Sequence, residues 1–407
     1  MIPRLKGTDD ILPPESARWR RLLRGFDDLA ARYGYDLVLM PVIEATELFA
    51  RGVGVDTEVV EKQMYTFEDR GGRSVTLRPE FTAGIVRAYL EAGGFGVMKV
   101  AASGPQFRYE QPQKGRRRQF HQVDLEYLGE PGPRADIEII EMSHRLLAEA
   151  GVPGVTLRLN SIGDASDRAV YRELLRDFLH GVAGELSPDA RRRVDDNPLR
   201  VLDSKADADV VAAAPVPLDH LGVETAAHFA AVRAGLDAAG IVYEIAPRLV
   251  RGLDYYNRTV FEFFSSAFEA AQASLGGGGR YDPLGELIGS RTPLPGVGVA
   301  LGCDRIVAAM PDVAFPRLDV FVAVAGAARD DAASDWVRRL RVEGLRVDWV
   351  GGERSLKAQF KAADRGGAAA VAVIGDEWDR GEVRMKWMAT GEEATMDIEE
   401  VVAWLHR

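Results

Sequence analysis

Between Phe107 and Glu126 the chain collects side chains suited to gripping a charged, polar ligand. Gln122, Asp124 and Glu126 alternate with Val123, Leu125 and Tyr127. A period of two puts the first set on one face of a strand and the second on the other. Arg108 and Glu110 share a face in the same way, and the loop between the two runs carries Pro112, Lys114, Gly115 and three consecutive arginines, Arg116 to Arg118. The pattern predicts a β-hairpin with one ionic face and a basic tip. Buried charge is costly unless paired, so such a face is poor core material and suits a binding site. The alternation alone fits a solvated hairpin with a charged turn equally well.

Arginine is the group of choice for holding phosphate, because its planar fork stays charged and grips in two places. The arginines of this stretch suit that role by type. A strand salt bridge for Glu126 and core packing for the Tyr255–Tyr256 pair remain open. His121 reads as structural rather than catalytic. The chain contains no Gly-x-x-x-x-Gly-Lys-Ser/Thr loop, no Rossmann fingerprint, no His-Glu-x-x-His and no Gly-x-Ser-x-Gly.

The run from Arg108 to Gln122 resembles motif 2 of class II aminoacyl-tRNA synthetases in its histidyl form. Leu249 to Glu262, Leu-Val-Arg-Gly-Leu-Asp-Tyr-Tyr-Asn-Arg-Thr-Val-Phe-Glu, and Gly276 to Asp282, Gly-Gly-Gly-Gly-Arg-Tyr-Asp, are similar to the histidine-specific signatures of that family. Gly296 to Ile306 resembles motif 3, a strand running into a helix that carries Arg305, and the helix–strand–proline unit up to Pro41 resembles motif 1. The resemblance covers almost the whole chain. It implies histidine activation by ATP, with magnesium accompanying the nucleotide and no dedicated protein metal site, followed by transfer to tRNA(His).

By resemblance, Arg108 and Arg251 hold the α-phosphate and Arg116 the outer phosphates. Arg305 and Phe120 bracket the adenine, and Glu110 contacts its side. Glu80, Thr82 and Gln122 take the substrate ammonium; Glu126, Tyr255 and Tyr256 take the imidazole, with Arg251 supporting the carboxylate. Gln113, Lys114, Arg117 and Arg118 face the acceptor stem. Lys357, Lys361 and Arg365, four residues apart on one helix face, resemble the RNA-binding stripe of the anticodon domain, although such a stripe also fits a merely solvated face. The family usually has glycine where this chain has Phe81, arginine where it has Gln111 and an aromatic where it has Arg117. These departures bear on pocket shape and tRNA contacts.

The elements that must position these groups follow from the patterning. The expected class is α+β: a synthetase catalytic domain on an antiparallel sheet (1–163 and 241–314), a helical insertion (164–240) and a C-terminal α/β anticodon-binding domain (319–407). Residues 13–34 read as a helix, 35–42 as an edge strand interrupted by Pro41, and 65–78 as a hairpin. The four glycines at 276–279 read as neither helix nor strand, but as backbone passing close to a ligand or another strand.

With 407 residues the chain is long enough for two or three domains. The single cysteine, Cys303, excludes an internal disulfide framework and a cysteine-rich zinc cluster, and a reducing, cytoplasmic setting fits. No run approaches a membrane span, and no apolar signal core opens the chain. A formal net charge of −11 excludes non-specific nucleic-acid binding, so RNA must be met by local basic patches. Motif 1 implies a homodimer. Two rivals stand beside the ligase: the synthetase-like, non-catalytic regulatory subunit of ATP phosphoribosyltransferase, expected to lack the C-terminal domain, and a paralogue that forms the adenylate but charges no tRNA.

Overall fold

The computed structural model describes residues 2–54, 57–94, 96–110, 117–202, 204, 206–253, 255–269, 273–312, 318–351 and 353–406. Two compact units form, 1–311 and 312–407. Gln111, Gln113, Lys114 and Arg116 lie outside the described residues.

The amphipathic stretch near the start folds as α1 (Glu15–Arg32), which buries Trp19, Leu22, Phe26 and Leu29. The strand expected over 35–42 shrinks to β1 (Asp36–Leu37). Pro41 has no N–H to give a ladder, and the Met40 and Pro41 carbonyls instead accept bonds from Arg78 Nη1 at 2.7 and 3.2 Å. Next come β2 (Ile43–Ala45), α2 (Thr46–Val53), β3 (Tyr65–Glu68), β4 (Ser74–Leu77) and α3 (Thr82–Glu91). The strands β2, β4 and β3 make a small antiparallel sheet. Its expected hairpin turn is held by Asp69, whose Oδ1 accepts the Gly71 and Arg73 amides at 2.8 and 3.0 Å.

The predicted hairpin is present as β5 (Met98–Phe107) and β6 (Gln119–Leu128), antiparallel over ten residue pairs, but Arg108 and Glu110, expected to share a face of the first strand, lie beyond its end, and the expected basic tip falls largely outside the described residues. Then follow α4 (Pro133–Glu149), β7 (Val155–Ser161) and a helical stretch of α5 (Ala165–Gly181), α6 (Pro188–Arg193), α7 (Pro198–Val201), α8 (Ala208–Val211) and α9 (Val223–Ala238). The unit closes with β8 (Tyr243–Ile245), β9 (Asn257–Ser265), β10 (Ser274–Arg280), α10 (Leu284–Leu287), β11 (Gly296–Gly302) and α11 (Cys303–Ala309). The eight-stranded sheet runs β1-β5-β6-β11-β10-β9-β7-β8, antiparallel except at the two outer pairs.

The glycine run corrects the sequence expectation, because Gly276 to Gly279 form the middle of β10, paired on both sides by β9 and β11. Strand propensity describes side chains packing on a pleat, and here the neighbouring strands leave no room for side chains. A Cβ on Gly278 would sit 1.9 Å from the Gly298 carbonyl oxygen, and one on Gly276 2.2 Å from that of Ala300. Bonding on both edges outweighs the entropic cost of glycine.

One face of this sheet carries Val123, Leu125, Tyr127, Val297, Val299 and Leu301 into an apolar core shared with α1, α4, α9 and α11. The other face carries Gln122, Asp124 and Glu126 and is covered in part by a second cluster containing Phe49, Phe81, Tyr255 and Tyr281. The ionic face therefore lies opposite the main core, as the period of two requires.

The second unit contains β12 (Leu318–Val324), α12 (Asp330–Val342), β13 (Val347–Trp349), α13 (Leu356–Gly366), β14 (Ala368–Ile374), β15 (Glu382–Trp387), β16 (Glu393–Asp397) and α14 (Val401–Leu405). Its sheet order is β13-β12-β14-β15-β16. The first three strands are parallel, as the alternation of strands and helices predicts, and the last two add antiparallel. This closing hairpin escapes the sequence reading because β16 is an edge strand with no buried residue. On α13, Gln359 and Ala363 turn inward and Lys357, Lys361 and Arg365 are exposed.

Candidate active site

A cleft of about 460 Å³ opens over the ionic face of the large sheet. Its floor is nearly bare backbone. Gly277 and Gly279 of β10 and Gly298 of β11 stand where side chains would compete with the site. An added Cβ would lie 3.1 Å from Arg251 Nη1 at Gly277, 3.0 Å from the Tyr256 ring at Gly279, and 1.7 Å from Glu126 Oε2 at Gly298. The register sets Gly298 directly opposite Glu126, so the glycine opens the volume into which the carboxylate leans.

Behind one end of the cleft Glu126, 1% exposed and not itself part of the lining, is held by two hydroxyls of residues that are. Thr82 Oγ1 donates to Oε1 at 2.6 Å, and Tyr281 Oη donates to Oε2. Burial pushes the Glu126 carboxyl up to about 8, against the pull of these two bonds, and the nearby Glu80 adds to the rise. Tyr255 packs on Tyr256 and Tyr281, with ring centroids 4.7 and 5.9 Å apart. Burial drives the phenols of Tyr255 and Tyr281 well above their ordinary range, so both stay protonated donors.

Glu80 sits at the corner where β4 leads into α3. Its two oxygens accept the Thr82 and Ala83 amides at 2.7 and 2.9 Å, stabilising the helix start. Burial raises its carboxyl as well. Gln122 closes this end, with its Oε1 buried and without a protein partner among the described residues. Phe81 turns away from the cleft into the second apolar cluster, where its ring lies 4.3 Å under the Arg78 guanidinium. The departure at this position therefore changes the wall behind the pocket rather than the pocket lining.

Four arginines line the rest of the cleft: Arg108, Arg117, Arg251 and Arg305. Arg108 Nε donates to the Pro79 carbonyl at 3.0 Å, and its guanidinium stands 5.2 Å over the Phe120 ring. Burial lowers the Arg108 guanidinium, with Glu110 and Glu80 opposing the shift. Arg251 Nη1 is 3.4 Å from Glu262 Oε1, and Ser274 Oγ donates to the same oxygen. Burial works against the Arg251 charge, but Tyr256 and Glu262 outweigh it and hold the group above its ordinary value. Arg305, on α11, donates to the Ser274 carbonyl. Glu110 lines the same region. The cleft thus pairs a set of cations suited to a polyanion with a polar pocket suited to a small basic side chain.

The structure brings Arg108, Glu110, Phe120, Gln122, Glu80, Thr82, Arg251, Tyr255, Tyr256 and Arg305 around one cavity. Arg117 and Arg118 are placed at the hairpin base. Arg117 lines the cleft, with Nη1 2.6 Å from Asp304 Oδ1 and Nε 2.9 Å from Asp9 Oδ2. Arg118 stacks its guanidinium 3.8 Å over the Tyr109 ring, and its amide donates to the Gly7 carbonyl at 2.7 Å. Lys357, Lys361 and Arg365 belong to the other unit. Tyr281 is the site residue the sequence reading missed, although it lies in the quoted Gly-Gly-Gly-Gly-Arg-Tyr-Asp stretch. Among the described residues, no group of three or more His, Cys, Asp or Glu side chains could hold a metal ion, and no helix is long and apolar enough to cross a membrane.

A family model described as histidyl-tRNA synthetase matches residues 7–306, and one described as anticodon binding domain matches 319–407. The chain is 46% identical to a histidine–tRNA ligase of Rhodococcus erythropolis over 98% of its length and 96% of the relative's. It is 45% identical to that of Geobacillus kaustophilus over 100% and 97%. Among solved structures it is similar to apo S. aureus histidyl-tRNA synthetase, with a TM-score of 0.80, 35% identity and full coverage of both chains. A cleft lined by four arginines in front of a hydroxyl-bound carboxyl group, and relatives matched from end to end, agree that this chain belongs to the histidyl-tRNA synthetase family of class II aminoacyl-tRNA synthetases.

Proposed function

We propose that the chain is a histidine–tRNA ligase. It joins L-histidine to MgATP, releasing pyrophosphate and forming histidyl-adenylate, and then passes the histidyl group to the 3′ end of tRNA(His). The observation that carries this reading is that Thr82 and Tyr281, which line the same cleft as Arg108, Arg251 and Arg305, both donate to the Glu126 carboxyl buried behind them.

In the first step a carboxylate oxygen of histidine attacks the α-phosphorus and the bond to the bridging oxygen of pyrophosphate breaks. Positioning and charge stabilisation are the main contributions a protein can make. Arg108 and Arg251 hold the α-phosphate, with Arg251 also aligning the attacking carboxylate. Phe120 and Arg305 bracket the adenine, Arg305 reaches the γ-phosphate, and Glu110 meets the adenine edge. Arg116 holds the outer phosphates. Glu80, Thr82 and Gln122 receive the ammonium, while Glu126, Tyr255, Tyr256 and Tyr281 surround the imidazole. Both imidazole nitrogens then find partners, and an analogue lacking them would leave buried polar groups unpaired, a penalty worth up to about 10⁴ in selectivity.

Gln113, Lys114, Arg117 and Arg118 serve the acceptor stem, with Arg117 acting from the cleft wall. Lys357, Lys361 and Arg365 serve the anticodon arm. A homodimer is proposed from the motif 1 likeness and from the exposed apolar run Leu37, Leu39, Val42 and Ile43 beside it. A cytoplasmic setting fits the free Cys303. The regulatory-subunit alternative loses ground because the anticodon-binding model matches 319–407 and Arg251 stays in the cleft.

The test is ATP–pyrophosphate exchange run with each of the twenty amino acids, followed by transfer to tRNA. Exchange with histidine alone, and histidyl-tRNA as product, is the expected result. Exchange without transfer would leave an adenylate-forming paralogue. No exchange with any amino acid would remove the enzymatic reading.

A further inference from the structure

We propose that Arg280 is a positioning residue for histidine selection: its guanidinium, anchored by Asp136 and Asp282, sets Tyr281 against Glu126. The inference rests on the histidine reading of the cleft.

Arg280 ends β10 and is fully buried, as is its partner Asp136 at the start of α4. Successive strand residues point to opposite faces. Arg280 accordingly reaches α4 and the loop before it, while Tyr281 enters the cleft. The guanidinium has five N–H donors, and its neighbours account for all of them. Nε faces Asp136 Oδ1 at 3.4 Å, and Nη2 donates to Asp136 Oδ2 and to the Gly132 carbonyl at 2.9 Å. Nη1 donates to the Glu130 carbonyl at 3.1 Å and to Asp282 Oδ1 at 3.2 Å.

The residue on the other side of Tyr281 is locked as well. Asp282 Oδ1 accepts the Gly296 amide at 3.0 Å, and Oδ2 accepts Asn257 Nδ2 at 3.1 Å. The Asp282 amide donates to Asn257 Oδ1 at 3.0 Å, and the Tyr281 amide to the Gly296 carbonyl at 2.8 Å. The phenol is therefore carried by a backbone pinned at both ends. Arg280 does not touch the cleft, so its influence on substrate passes through Tyr281 and Glu126.

A buried ion pair is a poor device for net stability, because desolvating both ions consumes most of the attraction between them. What a fully bonded guanidinium supplies is a fixed direction. Asp136 also lies 3.4 Å from His228 Nε2 on α9.

The test is a double-mutant cycle of Arg280→Lys with Tyr281→Phe, read as KM for histidine and KM for ATP in pyrophosphate exchange. Lysine keeps the charge but cannot fill five directions. Arg280→Lys is expected to raise the histidine KM by about tenfold or more and to leave the ATP KM within about twofold. It should add little once Tyr281→Phe is present, because both changes act on one interaction. An equal rise in both constants, or full additivity with Tyr281→Phe, overturns the proposal. If Arg280→Lys does not fold, Asn257→Ser, which loosens Asp282, enters the same cycle with the same two outcomes. Wild-type protein giving no exchange with histidine would instead refute the functional reading, and this inference with it.

Discussion

Tyr281 donates its hydroxyl hydrogen bond to Glu126 Oε2 across the sheet, from the end of β10 to β6, with β11 lying between them. The two residues are 155 positions apart in the chain. Their bond, together with that from Thr82, defines the polar end of the cleft. Tyr281→Phe should raise the histidine KM about tenfold or more by leaving a buried carboxyl under-bonded, a loss of about 1–3 kcal/mol. Glu126→Gln should do the same and weaken rejection of other amino acids. Steady-state exchange kinetics measure both, and unchanged histidine selectivity in Glu126→Gln would place the imidazole elsewhere.

Burial lifts the Glu126 carboxyl from an ordinary 4.5 to about 8. In the window between those values the folded chain holds a proton that the unfolded chain has released. Stability from this group is therefore complete below about pH 4.5 and is lost as pH rises through about 8. Glu126→Gln removes that slope. Thermal melts of the ligand-free protein at mildly acidic and mildly alkaline pH should show a larger fall for the wild type than for the variant. Equal falls would argue against a proton-holding Glu126.

Arg251 lies over the glycine floor beside Glu262. If it stabilises charge as the α-phosphorus is attacked, Arg251→Ala should cost on the order of 3 kcal/mol, about 100-fold in the rate of adenylate formation. Histidine affinity by calorimetry should fall much less. A variant with near wild-type exchange would remove Arg251 from the reaction.

Lys357, Lys361 and Arg365 stand exposed along α13. Replacing all three with alanine should leave pyrophosphate exchange intact and weaken tRNA binding. The slope of log affinity against log salt should become shallower by about 1 for each phosphate no longer neutralised. An unchanged slope would show that this face is only solvated.

Local periodicity disclosed much of the architecture. The alternation around Gln122, Asp124 and Glu126 predicted the hairpin and the polar face of its second strand, and the strand-into-helix unit implied by the motif 3 resemblance is realised as β11 and α11. What stayed hidden depends on partners distant in sequence. Arg117 reads as part of a basic tip until Asp304, 187 residues away, is folded against it. The glycine run looks like a break until strands bond on both its edges. Tyr281 gives no local sign of its role, because only the sheet order brings it to Glu126. The residues that carry the resemblance largely converge on one cleft, whereas the clamp behind them could be found only in three dimensions.

The glycine floor makes the site vulnerable in an unusual way. Arg251, Tyr256 and Glu126 each lean over a position where the neighbouring strand offers backbone alone. A methyl group at Gly298 would overlap the Glu126 carboxyl, and one at Gly277 or Gly279 would meet the Phe261 or Thr259 carbonyl of β9 at 2.3 or 2.5 Å before it met Arg251 or Tyr256, so the sheet itself would have to shift. Inactivating alleles are thus expected among changes as mild as glycine to alanine, and a redesign of this pocket has less freedom beneath the substrate than around it.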